Sequence, residues 1–284
     1  ENSIGVLVRS GNEKYMLKTI IIITIVTLLV SSVGWKKFIY FFSLGYGYGI
    51  ASIAITLAVL YWKDLSWYSA AMLVLLCMYG VRLGTFLLQR EIKSAAYVKT
   101  VELDEITNDM RPTGVLFSIW ISCVILYICQ TFPVAVLLHT TSEGIISNPI
   151  WTYIGLGVAI VGFLMETIAD HQKSAAKRIN AKRFVDTGLY RLVRCPNYLG
   201  EILLWTGVFV SGIGAMHTWW HWIVSIIGYI GILYVMFSGA RRLELRQDKN
   251  YSSDPEYQKY KKTVPILLPF IPLYSVVKYE WLRA

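Results

Sequence analysis

Residues 114–138 read GVLFSIWISCVILYICQTFPVAVLL, an apolar run without a charged side chain. A helix needs about 20 such residues to cross the hydrocarbon core of a bilayer, so this run predicts a transmembrane helix. Comparable runs occupy about 17–33, 38–62, 67–89, 149–169, 197–215 and 219–239. Backbone groups in lipid must be hydrogen-bonded internally, and these runs do not alternate in polarity. The predicted fold class is therefore all-α, a polytopic membrane protein with about seven transmembrane helices.

The composition supports the same class. Of the 284 residues, 55% are hydrophobic and only 16% are charged, which leaves too little polar surface for a water-soluble globule. The four cysteines form no C-x-x-C pair, so no metal site or disulfide framework is expected. Most of the lysines and arginines that give the net charge of +9 lie in loops and a tail, which indicates membrane topology rather than binding to nucleic acid.

The lysines and arginines also predict the topology. Most of them follow spans one, three and five or lie in the C-terminal tail, and these segments share one side of a seven-span protein. The positive-inside rule places that side in the cytosol or its equivalent. Residues 1–15 are polar and predict an N-terminal tail, while no linker or repeat divides residues 16–284, which are expected to form one membrane domain.

A polar stripe leaves the membrane at the end of span five. Glu166, Asp170, Lys173 and Lys177 are spaced four, three and four apart, so a helix places them on one face. A solvated helix end with ion pairs would explain the two lysines equally well. The carboxylate of Glu166, however, lies within the apolar span, where it is costly unless it faces a polar cavity or a partner.

Span six carries a matching polar face. Asn197, Glu201 and Trp205 recur every four residues and place an amide, a carboxylate and an indole together. Hydrogen bonds between helices or a ligand pocket would each explain this face. The connection between the two spans is basic and includes Arg183 and Arg194. Arginine's planar fork suits phosphate, so this connection predicts a site for a phosphorylated cofactor or an anionic lipid headgroup.

Residues 186–201, DTGLYRLVRCPNYLGE, resemble the C-terminal signature of the steroid 5α-reductase superfamily, especially its DUF1295 branch. Weaker similarity reaches back to Arg82-Leu83-Gly84 and forward to residues 257–271. The resemblance implies a seven-helix membrane bundle and an NADPH-dependent reductase that saturates a carbon–carbon bond conjugated to a carbonyl in a lipid. The cofactor half would cover about residues 149–275.

The polar stripe and the resemblance together give the candidate cofactor-binding residues. They are Glu166, Asp170, Lys173, Lys177, Arg178, Arg183, Arg194, Asn197, Tyr198, Glu201, Arg241, Arg242, Tyr257 and Tyr260. Tyr79 and Arg82 are the candidate catalytic residues, because their separation matches the Tyr-x-x-Arg of the steroid reductases. A tyrosine that only packs, and an arginine that extends to the membrane surface, are the alternatives for this pair.

Span two departs from the steroid reductases because it carries no glutamate, which argues against steroid-like ketones as substrates. Its Gly-Tyr-Gly-Tyr-Gly sequence, residues 45–49, either permits close helix packing or lines a cavity. Two other functions remain open. Residues 194–200 resemble the Arg-His-Pro-x-Tyr-x-Gly of isoprenylcysteine carboxyl methyltransferases with Cys195 in place of histidine, which would imply S-adenosylmethionine as cofactor. The chain would bind no cofactor if it were a catalytically silent subunit of a larger membrane complex.

The expected partners are membrane lipids and a lipid substrate. Other membrane subunits would be partners if the chain were the catalytically silent subunit. The endoplasmic reticulum is the favoured location from the resemblance, with the mitochondrial inner membrane and the bacterial plasma membrane as alternatives.

Overall fold

A computed structural model describes residues 2–93, 112–145 and 148–282, with side chains from residue 14 in the first helix and up to residue 89 in the third. The regular structure in this part of the chain is helical. The longer helices are α1 (Asn2–Ser31), α2 (Leu44–Leu60), α3 (Trp67–Lys93), α4 (Thr113–Ser142), α5 (Ile150–Ile179), α6 (Pro196–Gly212), α7 (Trp219–Tyr251) and α8 (Pro255–Thr263). Short 3₁₀ helices cover Ser32–Trp35, Phe38–Phe41, Gly188–Arg191 and Ile213–Ala215.

Seven helical segments of the described residues are long and apolar enough to cross a membrane. They are Lys14–Trp35, Phe38–Leu60, Trp67–Gln89, Thr113–Ser142, Ile150–Ile179, Pro196–Ala215 and Trp219–Tyr251. The predicted all-α, polytopic membrane fold is thereby confirmed.

Three helices extend beyond the apolar runs that predict the spans. α1 begins at Asn2, so residues expected to form a polar tail continue the helix of the first span. α5 and α7 extend about ten residues past their apolar runs, because hydropathy marks the edge of the membrane and not the end of the helix. Most of the basic loop expected after span three, residues 94–111, lies outside the described residues.

The chain divides into two compact units. The first comprises Glu1–Leu156 with Val208–Gly228, and the second comprises Gly157–Gly207 with Tyr229–Ala284. The predicted cofactor residues all belong to the second unit, whereas Tyr79 and Arg82 belong to the first.

Helices α2 and α3 touch through glycines in the first unit. A Cβ atom on Gly80 would lie 2.3 Å from the carbonyl oxygen of Gly47, and one on Gly47 would lie 2.7 Å from the amide nitrogen of Gly84. Side chains at these positions would separate the two backbones. Of the two interpretations of residues 45–49, close helix packing is therefore the one present.

Candidate functional site

The candidate site in the second unit is built on the crossing of α5 and α6. A Cβ atom on Gly200 would lie 2.8 Å from the carbonyl oxygen of Gly162 and 2.5 Å from the amide nitrogen of Glu166. The two backbones are therefore in direct contact, and the crossing sets the depth of the polar groups on either side. The predicted stripe of α5 and the predicted face of α6 meet at this crossing.

Three carboxylates of these helices are buried. The exposed fraction is 3% for Glu166, 8% for Asp170 and 7% for Glu201. Each interacts with other groups of the protein. Buried carboxylates within apolar spans are costly and usually mark a polar interior. The sequence prediction of a polar region between spans five and six therefore has a structural counterpart.

Asn197 contributes an unpartnered acceptor on α6, the helix that also carries Glu201. It lies in the first turn of α6, and its Oδ1 atom is buried without a hydrogen-bond partner among the described residues. Leaving such an atom unpaired costs about 1–3 kcal/mol. A ligand N–H group would recover that cost. The neighbouring Tyr198 packs on α7, where a Cβ on Gly239 would lie 3.3 Å from its ring.

A cavity of ≈ 220 Å³ opens on the basic side of the second unit. Three cationic side chains line it, Lys173, Lys177 and Arg246. The other lining residues are polar, aromatic or aliphatic: Gln247, Asn250, Tyr190, Tyr251, Phe184, Val185 and Leu243. This lining suits an anionic ligand with a ring. The volume is below the roughly 300–1,000 Å³ typical of ligand sites, so the cavity would hold part of a larger molecule.

The ammonium group of Lys177 already donates hydrogen bonds within the protein. Its Nζ atom donates to the carbonyl oxygen of Ala181 at 3.1 Å and to the hydroxyl of Tyr251 at 2.9 Å. These bonds fix the chain after the carboxyl end of α5, where a cation also suits the helix dipole. Lys177 therefore shapes the cavity in addition to lining it.

The basic connection between α5 and α6 is held in place by α5 itself. Gly188 adopts a φ of +62°, which L side chains rarely adopt, and the following Leu189 amide donates to Oε1 of Gln172 at 2.9 Å. The Tyr190 hydroxyl donates to the carbonyl oxygen of Ala169 at 3.3 Å. Burial raises the pKa of Tyr190, so this hydroxyl stays protonated at neutral pH.

The most buried charge pair of the site joins this connection to α7. Nη2 of Arg194 lies 3.1 Å from Oε1 of Glu244, and neither side chain is exposed. Glu244 also lies 3.3 Å from Nζ of Lys261 and accepts from the amide of Val276 at 3.0 Å. Arg194 therefore has a structural role, in addition to the phosphate contact predicted for it. Its Nε and Nη1 atoms have no hydrogen-bond partner among the described residues and remain available as donors.

The other predicted arginines have varied surroundings. Arg183 is half-exposed and pairs with Glu256 at 2.8 Å and Asp186 at 3.0 Å, and the hydrogen bonds to these carboxylates raise its pKa. Nε of Arg241 donates to the carbonyl oxygen of Val277 at 3.2 Å. Arg242 also interacts with other groups of the protein, and Arg178 is exposed near the end of α5.

The predicted closing segment packs over the basic connection. Tyr257 and Tyr260 are buried against Phe184, and the Tyr260 hydroxyl donates to the carbonyl oxygen of Tyr190 at 2.7 Å. The Tyr257 hydroxyl donates to Oδ1 of Asp248 at 2.8 Å. Burial is the largest cause of a raised pKa at both tyrosines. Both therefore act as neutral hydrogen-bond donors that fix the segment.

The two candidate catalytic residues lie on α3 in the first unit. Tyr79 is fully buried, and its hydroxyl donates to the hydroxyl of Tyr46 on α2 at 3.1 Å. Arg82 is half-buried and interacts with other groups. The pairing of Tyr79 with Tyr46 was not predicted, because it depends on the glycine contact between α2 and α3.

Sequence reasoning missed Glu244 and the cavity residues of α7. Glu244 lies among Arg241, Arg242 and Arg246, and a lone carboxylate in a basic helix end was the one available signal. Gln247 and Asn250 carry no sequence signal for a site. Among residues 2–93, 112–145 and 148–282, no group of three or more His, Cys, Asp or Glu side chains could hold a metal ion.

The chain matches one family model, and it is similar over part of its length to two curated proteins. The family model described as "Protein of unknown function (DUF1295)" matches residues 43–264. An uncharacterized protein of Schizosaccharomyces pombe, C594.04c, is 26% identical over 139 residues, which is 42% of this chain and 39% of that protein. A very-long-chain enoyl-CoA reductase of Dictyostelium discoideum is 28% identical over 135 residues, which is 44% of this chain and 41% of that enzyme.

The matches thus span about two fifths of the length of these curated relatives. No solved structure matches the chain. Because the family model covers residues 43–264, most of the 284 residues, the chain belongs to the DUF1295 family.

Proposed function

We propose that this protein is a membrane-embedded reductase that uses NADPH to saturate a carbon–carbon double bond conjugated to a carbonyl in a lipid. The similarity to a very-long-chain enoyl-CoA reductase supports this reaction class. The resemblance of residues 186–201 to the steroid 5α-reductases supports the same chemistry. A fatty enoyl thioester suits the chain better than a steroid ketone, because α2 carries no acidic side chain. The endoplasmic reticulum is the proposed location.

The observation that carries the cofactor half of the proposal is the buried, unpartnered Oδ1 of Asn197 beside the α5–α6 crossing. This atom would accept from the carboxamide of a nicotinamide. The carboxylates of Glu166 and Glu201 would accept from ribose hydroxyls. The cations of the cavity, Lys173 and Arg246, suit phosphate oxygens. These acceptors and cations therefore fit a reduced nicotinamide dinucleotide, which supplies the hydride when bound.

Tyr79 would act at the substrate carbonyl, where negative charge develops during reduction. Its hydroxyl donates to Tyr46 in this structure. Rotation of the two hydroxyl hydrogens reverses that bond, so Tyr46 would donate to Tyr79 and Tyr79 to the carbonyl oxygen. The half-buried guanidinium of Arg82 lies one turn away on α3 and would favour the developing charge.

A catalytically silent membrane subunit is the second candidate. The observation that favours it is the environment of Tyr79, which is fully buried and edge-on to Tyr46 with ring centroids 6.3 Å apart. A packing tyrosine would have the same surroundings. Under this proposal the chain would be purified in a fixed ratio with other subunits.

An activity assay tests the proposed reaction. The full chain is reconstituted in lipid and given NADPH with a long-chain trans-2-enoyl-CoA or with an enone of similar length. We expect NADPH oxidation with the thioester and formation of the saturated acyl product. Oxidation with neither substrate, from protein that still binds NADPH, would overturn the substrate class.

A further inference from the structure

A short hairpin after α8 presents an apolar tip. The amide of Ile266 donates to the carbonyl oxygen of Leu273 at 2.8 Å and closes the hairpin, whose tip is formed by Phe270 and Ile271. The exposed fraction of Phe270 is 95%, and its φ is +64°, the one positive value at a non-glycine residue among the described residues. An exposed ring on a strained backbone is unfavourable in water. The tip therefore suits an apolar environment.

The hairpin is bonded to the two residues that precede the apolar span of α6. The amides of Arg194 and Cys195 donate to the carbonyl oxygens of Pro265 and Ile266, each at 2.9 Å. The apolar span of α6 starts with the next residue, Pro196. Two backbone bonds thus fix the start of the hairpin beside the first residue of this apolar span, where the membrane surface is expected.

The end of the same segment returns to the membrane-spanning part of α7. The hydroxyl of Tyr234 donates to the carbonyl oxygen of Trp281 at 3.1 Å, and the two rings stack with centroids 6.3 Å apart. Trp281 is 69% exposed. Exposed tryptophans at this depth are typical of the membrane interface. Both ends of the segment therefore lie along the bilayer surface.

A groove of ≈ 260 Å³ runs beside the hairpin tip. Phe270, Ile271, Leu192 and Pro272 give it apolar walls, and Arg191 is the cation in its lining. Arg191 makes no side-chain hydrogen bond or ion pair with any residue that the structure describes, unlike Arg183 and Arg194. The groove therefore combines a guanidinium with available donors and an apolar surface.

We propose that this groove binds a glycerophospholipid of the surrounding membrane. Its phosphate would contact Arg191, and its upper acyl chains would cover Phe270 and Ile271. A phospholipid supplies an anion directly above apolar chains at this depth, which matches the order of groups in the groove. A second copy or a soluble partner would first have to displace the lipid that surrounds α6. The bound lipid would also hold the hairpin against Arg194, which donates to the carbonyl oxygen of Tyr274.

Photo-crosslinking tests the site without reference to any catalytic activity. The full chain is placed in phosphatidylcholine nanodiscs that contain phosphatidylglycerol with a diazirine near the glycerol, and adducts are mapped by mass spectrometry. We expect adducts on residues 264–274 and 188–192. Arg191→Gln should lower the yield about fivefold with the anionic probe, as for the loss of one basic residue near an anionic surface. Lys262→Gln, which removes the same charge from α8 outside the groove, should leave the yield unchanged.

Phe270→Gly separates lipid binding from folding. Glycine tolerates the positive φ, so the variant should melt at or above the wild-type temperature while its crosslinking yield falls. Adducts that are confined to the spans and missing from residues 264–274 would overturn the proposal. Equal yields from wild type and Arg191→Gln with the anionic probe would do the same, since the phosphate contact would then be wrong.

Discussion

Gly162 and Gly200 bring the backbones of α5 and α6 into contact, because a Cβ on Gly200 would lie 2.8 Å from the Gly162 carbonyl oxygen. The contact places Glu166 of α5 beside the turn of α6 that carries Glu201 and Asn197. It is the geometric basis of the candidate site.

The crossing should not tolerate added side chains. Gly200→Ala and Gly162→Ala place a methyl group against backbone atoms, which cannot move aside as a flexible side chain can. We expect each variant to lose about 1–3 kcal/mol of stability, measured by thermal unfolding in detergent. Gly157→Ala on the same helix is the control, since nothing lies within 4 Å of its added Cβ. Equal melting of all three variants would show that the helices do not touch here.

Removal of one partner from the buried pair of Arg194 and Glu244 should destabilise the second unit strongly. Glu244→Ala leaves a guanidinium unpaired in the interior, and we expect a loss of about 3–5 kcal/mol. Glu256→Ala removes a carboxylate from the half-exposed Arg183, where little change in stability is expected because solvent screens the pair. Denaturant unfolding of both variants checks the difference. A mild effect of Glu244→Ala would mean that water reaches this pair.

Removal of one phenolic hydroxyl should slow the proposed reaction strongly without unfolding the protein. Tyr79→Phe keeps the ring and removes the hydroxyl that would donate to the carbonyl, so kcat should fall about 10²–10⁴-fold with KM little changed. Tyr48→Phe is the matched control, because Thr85, at 3.3 Å, is the hydrogen-bond partner of its hydroxyl among the described residues. Equal rates for the two variants would remove Tyr79 from the catalytic role.

The thiol of Cys195 should resist alkylation. Burial raises its pKa to about 12, so the reactive thiolate is scarce in the folded protein at neutral pH. The unfolded thiol ionises near pH 9.0, and its ionisation therefore favours unfolding as pH rises from about 9 to about 12. Maleimide labelling resolved by peptide mass spectrometry should find Cys195 unmodified at about pH 8 and modified after denaturation. Rapid labelling of the folded protein would contradict its burial.

The spans and the polar faces could be predicted from the sequence because both depend on local patterns. Apolar length gives the number of spans, and helical spacing puts Glu166 on the face of Asp170 and Asn197 on the face of Glu201. Helical spacing extends α5 past its apolar run as far as Lys177, whereas hydropathy does not report helix in water and does not give the end at Ile179.

The partners of the charged residues could not be predicted, because they are distant along the chain. Glu244 is 50 residues from Arg194, and Glu256 is 73 residues from Arg183. A count of basic residues predicts an anion site but not which arginines pair with carboxylates of the protein. The groove at Arg191 likewise depends on the fold of the hairpin that ends at Leu273.

Retention of a bound cofactor during purification is the sharpest test of the proposed function. The protein is purified in mild detergent, bound nucleotide is identified by mass spectrometry, and the measurement is repeated with Asn197→Ala, Glu201→Ala and the control Lys262→Gln. We expect NADP(H) with the wild type and the control, and its loss from both site variants. Retention of S-adenosylmethionine, or nucleotide-free protein that is purified only with other subunits, would contradict it.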